Sequence, residues 1–253
     1  MNLLAFDTGT EILSIAVART VDGQTRLWQH SAAGGAKAST DLIPAILDLL
    51  QQAGLQLQAL DAICFGAGPG SFTGLRTACS VAQGLAFGAG VVVLPVDSLL
   101  AVAEEARHTA WGQQPGGVVT ALLDARMDEL YSATWAWDAH GQWSELQPSN
   151  LVRPESVARQ SAQPSTTPWL LAGNVFAVYG ERVATGDPAA ATAQRVAALP
   201  TATAMLRLAP QLIAAGKTVP ADQAWPSYIR DKVAKTTAER MAEKAALAAG
   251  AQG

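Results

Sequence analysis

Gly66-Ala67-Gly68-Pro69-Gly70-Ser71-Phe72-Thr73-Gly74-Leu75-Arg76 is the densest motif in this 253-residue chain. It follows an apolar run, Ala62 to Gly66, that reads as a buried strand. It opens a segment, Thr73 to Phe87, whose apolar residues recur at helical spacing. Glycines at such a strand-to-helix turn permit positive φ and close backbone approach, and the free N–H groups of a helix start favour an anion. The motif is not a Walker loop, which needs Gly, four residues, then Gly-Lys-Ser/Thr. Here Gly70 and Gly74 are separated by three residues and no lysine follows. From the residues alone, an anion cradle and a tight turn packed against a neighbouring element stay equally open.

Working outward, Asn2 to Phe6 is a short apolar strand ending at Asp7-Thr8-Gly9-Thr10, and Ile12 to Arg19 is a second. Asp22-Gly23 turns into a third strand near Gln24 to Ser31. Ser39, Thr40 and Asp41 supply capping residues for a helix that stops at Gly54. Pro44 is tolerated within about the first turn, so this helix begins near Asp41 or kinks there. Beyond the motif come a strand at Val91 to Val96 and a helix capped by Ser98. The order is β-β-β-α-β-α-β-α.

The second half starts in the same way. Residues 3–18, LLAFDTGTEILSIAVA, and residues 121–136, ALLDARMDELYSATWA, share a strand, an Asp near its end, a short turn and a second strand. This reads as a duplicated unit, with two unrelated hairpins as the alternative. Further on, the sequence predicts a third strand at Gln142 to Gln147 and a short helix after Pro154. A strand at Trp169 to Gly173 and helices at Val175 to Val183 and Thr201 to Ala215 follow. Pro164 to Pro168 and Pro220 to Pro226 read as loops.

Composition narrows the classes. The longest near-apolar stretch, Gly84 to Val96, is interrupted by Gly88, Gly90 and Pro95 and falls short of the ~20 residues that span a bilayer. No basic run precedes the apolar N-terminus, so a mature cytosolic protein is expected, with no membrane contact. Cys64 and Cys79 fit no metal or redox spacing and read as buried thiols. Alanine, 51 residues in all, inflates the 49% hydrophobic content. Net charge is −7 over residues 1–200 and +3 over residues 201–253, so the chain is no stand-alone nucleic-acid binder by charge. Trp135 and Trp137 share one strand face, which favours a packed or inter-lobe surface over base stacking.

GPGSFTGLR closely resembles the TsaB family when taken with the strand running into Asp7-Thr8, Pro95-Val96-Asp97-Ser98-Leu99 after the fifth strand, and Leu123-Asp124-Ala125-Arg126 opening the second half. Tyr228-Ile229-Arg230 adds to the resemblance, whereas residues 139–215 carry little of it. The resemblance implies an α/β, two-lobed actin-like and Hsp70-like fold, each lobe a ribonuclease-H-like mixed sheet with helices. The expected division is a first lobe at 1–110, a second at 111–216, and a tail at 217–253 that returns to the first lobe. It also implies a function. The chain is expected to act with TsaD and TsaE in moving a threonylcarbamoyl group from threonylcarbamoyl-AMP to N6 of the adenosine beside the anticodon, in tRNAs that read codons starting with A.

In kinases and ATPases of that superfamily each lobe supplies a strand-turn-strand that closes on phosphate. Asp7, Gly9 and Thr10 are the candidate anion or nucleotide site by that pattern, although Glu11 stands where a hydroxyl residue is usual. The second turn, Ala125-Arg126-Met127-Asp128, carries side chains too large for close backbone approach. The catalytic relative TsaD carries a His-x-x-x-His pair after the Pro-Val strand, a spacing that lets two imidazoles share a metal. The matching positions here are Ser98 and Val102, and His30, His108 and His140 are isolated. No metal site and no catalytic residue are therefore read, and neither Ser71 nor Cys79 has a His base assembled beside it.

The expectation is a non-catalytic subunit that scaffolds TsaD. It would form a heterodimer through the first lobe, assemble with TsaE in a nucleotide-dependent way, and meet tRNA through the complex. No intrinsic cofactor is expected, with ATP or ADP placed at the interface of the complex. The expected partner face is Leu42 and Ile46 on the first helix and Phe72, Leu75, Arg76, Cys79 and Ala82 on the second. There the small residues Ala78, Ala82 and Ala86 permit close helix approach. The basic residues Arg230, Lys232, Lys235, Arg240 and Lys244 read as a solvated helix face or as a contribution to the tRNA surface. Two other classes stay open: an ATPase or phosphotransferase acting alone, and a homodimeric binding module.

Overall fold

The computed structural model describes residues 1–112, 114–159 and 166–229. Among these residues, ten strands form two sheets of five. The first holds β1 (Asn2–Asp7), β2 (Ile12–Val21), β3 (Gln24–Ala33), β4 (Ala62–Gly68) and β5 (Val92–Asp97) in the order β3-β2-β1-β4-β5. The second holds β6 (Gly117–Arg126), β7 (Glu129–Trp137), β8 (Trp143–Val152), β9 (Trp169–Gly173) and β10 (Gln194–Ala197) in the order β10-β9-β6-β7-β8. Read from β8, the second order repeats the first, with an antiparallel meander of three strands followed by two parallel ones. The duplicated unit is real, and the fold is the two-lobed α/β architecture built on paired ribonuclease-H-like sheets.

Among the described residues five helices complete the layers: α1 (Ala38–Ala53), α2 (Phe72–Ala89), α3 (Ser98–Ala110), α4 (Phe176–Tyr179) and α5 (Ala202–Ala214). The pleat of β1 sorts its side chains. Leu4 and Phe6 face an outer core under α1 and α2, whereas Leu3 and Ala5 face a central core between the sheets. Helices α3 and α5 fill that central layer. Helix α3 lies chiefly on β6, β7 and β9, and α5 chiefly on β1, β2 and β4. Small inner-face residues, Ala5, Ala16, Ala18 and Ala62, let the helices lie close to the first sheet.

One polar network crosses the central core. The Glu104 carboxylate on α3 is buried and accepts from Arg107 (2.9 Å), from Arg207 on α5 (2.7 Å) and from Trp143 Nε1 on β8 (3.1 Å). Burial alone would raise its pKa, but the bonds and charges of Arg107 and Arg207 outweigh it and hold the group below its ordinary value. The Arg107 guanidinium also lies 4.2 Å from the Trp137 ring, which packs 5.2 Å from Trp143. Trp135 is buried in the same core. The tryptophans of β7 and β8 thus serve the junction between the sheets.

Several boundaries differ from those the sequence predicts. A 3₁₀ turn at Gly35–Lys37 runs directly into α1 with Lys37 already in helical conformation, so the helix starts at Ala38 and continues through the exposed Pro44. The helix expected at Val175 to Val183 is one turn, followed by hydrogen-bonded turns that end at the left-handed Ala184. The segment after Pro154 is a 3₁₀ turn. Strand β10, short and largely exposed at the sheet edge, has no apolar alternation to announce it. Among the described residues, no helix is long and apolar enough to cross a membrane.

Candidate functional site

The two β-turns that follow β1 and β6 face each other across a cleft of about 570 Å³. Beneath it, Asp7 ends β1 fully buried. Its Oδ1 accepts from the Gly9 N–H at 2.7 Å and its Oδ2 from the Ser98 hydroxyl at 3.1 Å. Burial pushes its pKa up to about 6 against the lowering effect of both bonds. Asp97, which caps α3 through the Leu100 N–H and accepts from Ser149 of the second lobe, is likewise pushed by burial to about 6.

The glycine motif is fitted to the first turn. A Cβ on Gly66 would lie 1.8 Å from Asp7 Oδ2, one on Gly74 would lie 2.0 Å from the Thr8 carbonyl oxygen, and one on Gly70 would lie 2.8 Å from the Gly9 carbonyl oxygen. The Ser71 N–H donates to the Gly9 carbonyl at 2.7 Å, and the Thr8 hydroxyl donates to the Gly74 carbonyl at 2.7 Å. Ser71 caps α2 through the Gly74 N–H. The loop therefore clasps the Asp7–Gly9 backbone, which is the packed-turn alternative of the two the sequence left open.

Of the candidate anion residues, Gly9 and Thr10 line the cleft and Asp7 does not. Glu11 also lines it, and both its carboxylate oxygens accept from Asn174 Nδ2 of the second lobe at 3.2 and 3.3 Å. Asn174 Oδ1 in turn accepts from the Asp124 N–H. Opposite, Arg126 pairs with Asp124 at 2.9 Å, and the Tyr179 hydroxyl donates to Asp124. The first turn thus carries a carboxylate, Glu11, bridged to the other lobe, and a negative charge there repels phosphate. Arg126, Met127 and Asp128 are all left-handed, with φ of 62, 57 and 63°. Such conformations are uncommon for non-glycine residues, and ion pairs from Asp128 to Arg153 and Arg182 hold the turn.

The positions where a histidine pair was sought have structural roles. Ser98 binds Asp7, and Val102 is fully buried in the central core. Among the described residues, no three His, Cys, Asp or Glu side chains gather as metal ligands would.

The expected partner face needs correction. Leu42, Ile46, Cys79 and Ala82 are buried against their own sheet, as are Ala78 and Ala86, and Leu75 is buried beside Gly9 and Gly68 at the cleft. Their spacing puts them on one helix face, and that face looks inward; only Phe72 and Arg76 of the set are exposed. The outward stripe of α2 instead runs through Thr73, Arg76, Ser80, Gly84 and Phe87, and α1 presents Ile43 and Leu47 beside it. Phe87 is 84% exposed, and a Cβ on Gly84 or Gly88 would meet nothing within 4 Å among the described residues. Glycines inside a helix cost roughly 1 kcal/mol each relative to alanine. Exposed helix glycines beside a bare phenylalanine were the signal in the sequence for this face.

Residues 217–229 run back along the first lobe. Val219 bridges Val93, the Ala224 carbonyl accepts from Gln83 and from the Cys79 thiol, and the Ser227 N–H donates to the Ala67 carbonyl. The basic residues Arg230, Lys232, Lys235, Arg240 and Lys244 lie outside the described residues.

Comparison with known proteins agrees on one family. A family model described as "TsaD: tRNA N6-adenosine threonylcarbamoyltransferase" matches residues 29–238. The tRNA threonylcarbamoyladenosine biosynthesis protein TsaB of Escherichia coli is 32% identical over 92% of this chain and 96% of its own length. Its counterpart in Haemophilus influenzae is 31% identical over 92% and 95%. The solved structure of YeaZ from Pseudomonas aeruginosa superposes with a TM-score of 0.75 at 34% identity, covering 90% of this chain and 99% of that one.

Proposed function

The chain belongs to the TsaB family, and on that premise we propose that it is the non-catalytic partner of a TsaD-type transferase in tRNA threonylcarbamoyladenosine biosynthesis. The observation that carries the non-catalytic part is the cleft itself. A superfamily enzyme needs two turns open to phosphate, whereas here Glu11 extends from one turn to Asn174 beside the other, and the glycine motif is spent on packing the Asp7–Gly9 backbone. In this reading the transferase subunit binds the threonylcarbamoyl donor and performs the transfer. This chain supplies the outward face of α1 and α2, against which that subunit docks. TsaE joins the pair in a nucleotide-dependent step, with ATP or ADP held at the interface of the complex.

The docking surface fits the role. Ile43, Leu47 and Phe87 are large apolar residues left in solvent on adjoining helices, and glycines in the same stripe let a partner helix approach closely. Reconstitution of the tRNA modification from purified components tests the proposal. Omitting this chain is expected to abolish the modified nucleoside, and undiminished product without it would reject the reading. ATP turnover by this chain alone, lost on Asp7→Asn, would instead support an independent ATPase.

A further inference from the structure

We infer that Arg76, held between Phe72 and Tyr228, is the anchor with which this face grips a carboxylate of its protein partner. The inference rests on the docking role proposed above and gives it a chemistry. The Arg76 guanidinium carbon lies 3.9 Å from the centre of the Phe72 ring. Its Nε–H donates to the Tyr228 hydroxyl at 3.2 Å, and the two aromatic rings are 5.5 Å apart. One edge of the guanidinium is thus fixed from within the chain.

The other edge is unused among the described residues. Arg107, Arg126, Arg153, Arg182 and Arg207 each pair with a carboxylate, whereas Arg76 has none within ion-pair distance among the described residues. Its two terminal amino groups make no hydrogen bond there either. They form the planar fork that matches a carboxylate bidentately. An arginine already held by stacking and a hydrogen bond loses little further freedom on binding.

The surroundings select a protein acid over nucleic acid. Arg76 is the one charged residue of α2, and the exposed acids of the adjoining α1 are Asp41 and Asp48. An RNA backbone requires several cations together, whereas Arg76 is alone on its helix. A single oriented arginine held between Phe72 and Tyr228, on the same helix stripe as the exposed Phe87, instead has the make-up of a protein interface hot spot. Tyr228 is a positioning residue. It reaches Arg76 because the Ser227 N–H is fastened to Ala67, so the returning C-terminal segment sets the angle of the fork.

Titration calorimetry of the full chain with its purified transferase partner, at two salt concentrations, tests this. Arg76→Ala is expected to weaken binding about 30-fold or more, with most of that loss persisting in Arg76→Lys, which keeps the charge but not the fork. Tyr228→Phe keeps the ring, removes the hydroxyl, and is expected to weaken binding roughly 5-fold in the parent and not at all in the Arg76→Ala background. Melting curves confirm that each variant is folded; Arg76→Lys serves if Arg76→Ala is not. Unchanged affinity in Arg76→Ala overturns the inference while leaving the docking role intact. An equal Tyr228→Phe loss in both backgrounds overturns the positioning role. Binding of tRNA by this chain alone that disappears in Arg76→Ala, with partner affinity unchanged, assigns the fork to phosphate and rejects a protein acid. If the parent chain does not bind the transferase at all, the docking role fails as well.

Discussion

The carboxylate of Asp7 fills the space that a side chain at Gly66 would need, with only 1.8 Å between its Oδ2 and a Cβ at that position. Since Asp7 is immobilised by Gly9 and Ser98, relief requires moving β1 or β4. Gly66→Ala is expected to destabilise the chain by about 2–3 kcal/mol, read as a lower urea midpoint with an unchanged slope.

Asp7 also gives stability a pH signature. Its pKa in the fold is about 6 against an ordinary 3.8. Its contribution therefore favours the fold fully below pH 3.8 and is lost as pH rises through 6. Asparagine keeps an acceptor for Gly9 and carries no charge to bury. Asp7→Asn is expected to be more stable than the parent at pH 7.5, by about 3 kcal/mol, with the difference disappearing below pH 4. A constant difference across that range would falsify the assignment of the buried carboxylate.

Glu104 carries the opposite sign, because its pKa is depressed. Its stabilisation is present above the unfolded glutamate pKa and is lost as pH falls through the lower folded value. Removing the charge leaves the nearly buried Arg107 without its ion pair. Glu104→Gln is expected to cost about 3 kcal/mol at pH 7, measured by denaturant unfolding, with much of the loss absent at pH 3.

The two faces of α2 respond differently. Ala82 is fully buried, so Ala82→Glu should unfold the chain and give no information on docking. Gly84→Ala meets open space and is expected to stabilise the isolated chain by about 1 kcal/mol. Phe87→Glu, at an exposed position, should leave the melting temperature within a few degrees while abolishing co-purification with the transferase. Retained co-purification would remove this stripe from the interface.

Much of the fold was legible because it is written in local pattern. The Asp-ended strands at Asp7 and Asp124, the glycine turn and the capping residues each act within a few positions. The orientation of α2 was not legible, since its sequence is apolar around most of its circumference and only the position of β4 decides which side is covered. Nor was the Asp7–Ser98 bond, which joins residues 91 positions apart. The Glu11–Asn174 bridge depends on how two lobes meet and leaves no mark in either segment alone. Exposed glycines in α2 were visible throughout, and they gain meaning only once the helix is known to face outward.

The exchange of helices between the sheets bears on how the chain acquires its structure. Helix α3 follows the first sheet in sequence yet chiefly covers the second, and α5 follows the second yet chiefly covers the first. A cut between them would give two fragments, each bearing the covering that the other lacks. Neither half is then an independent folding unit. The intact chain is expected to unfold in one cooperative transition, and separately expressed halves, 1–112 and 113–253, should gain structure only on mixing, by complementation.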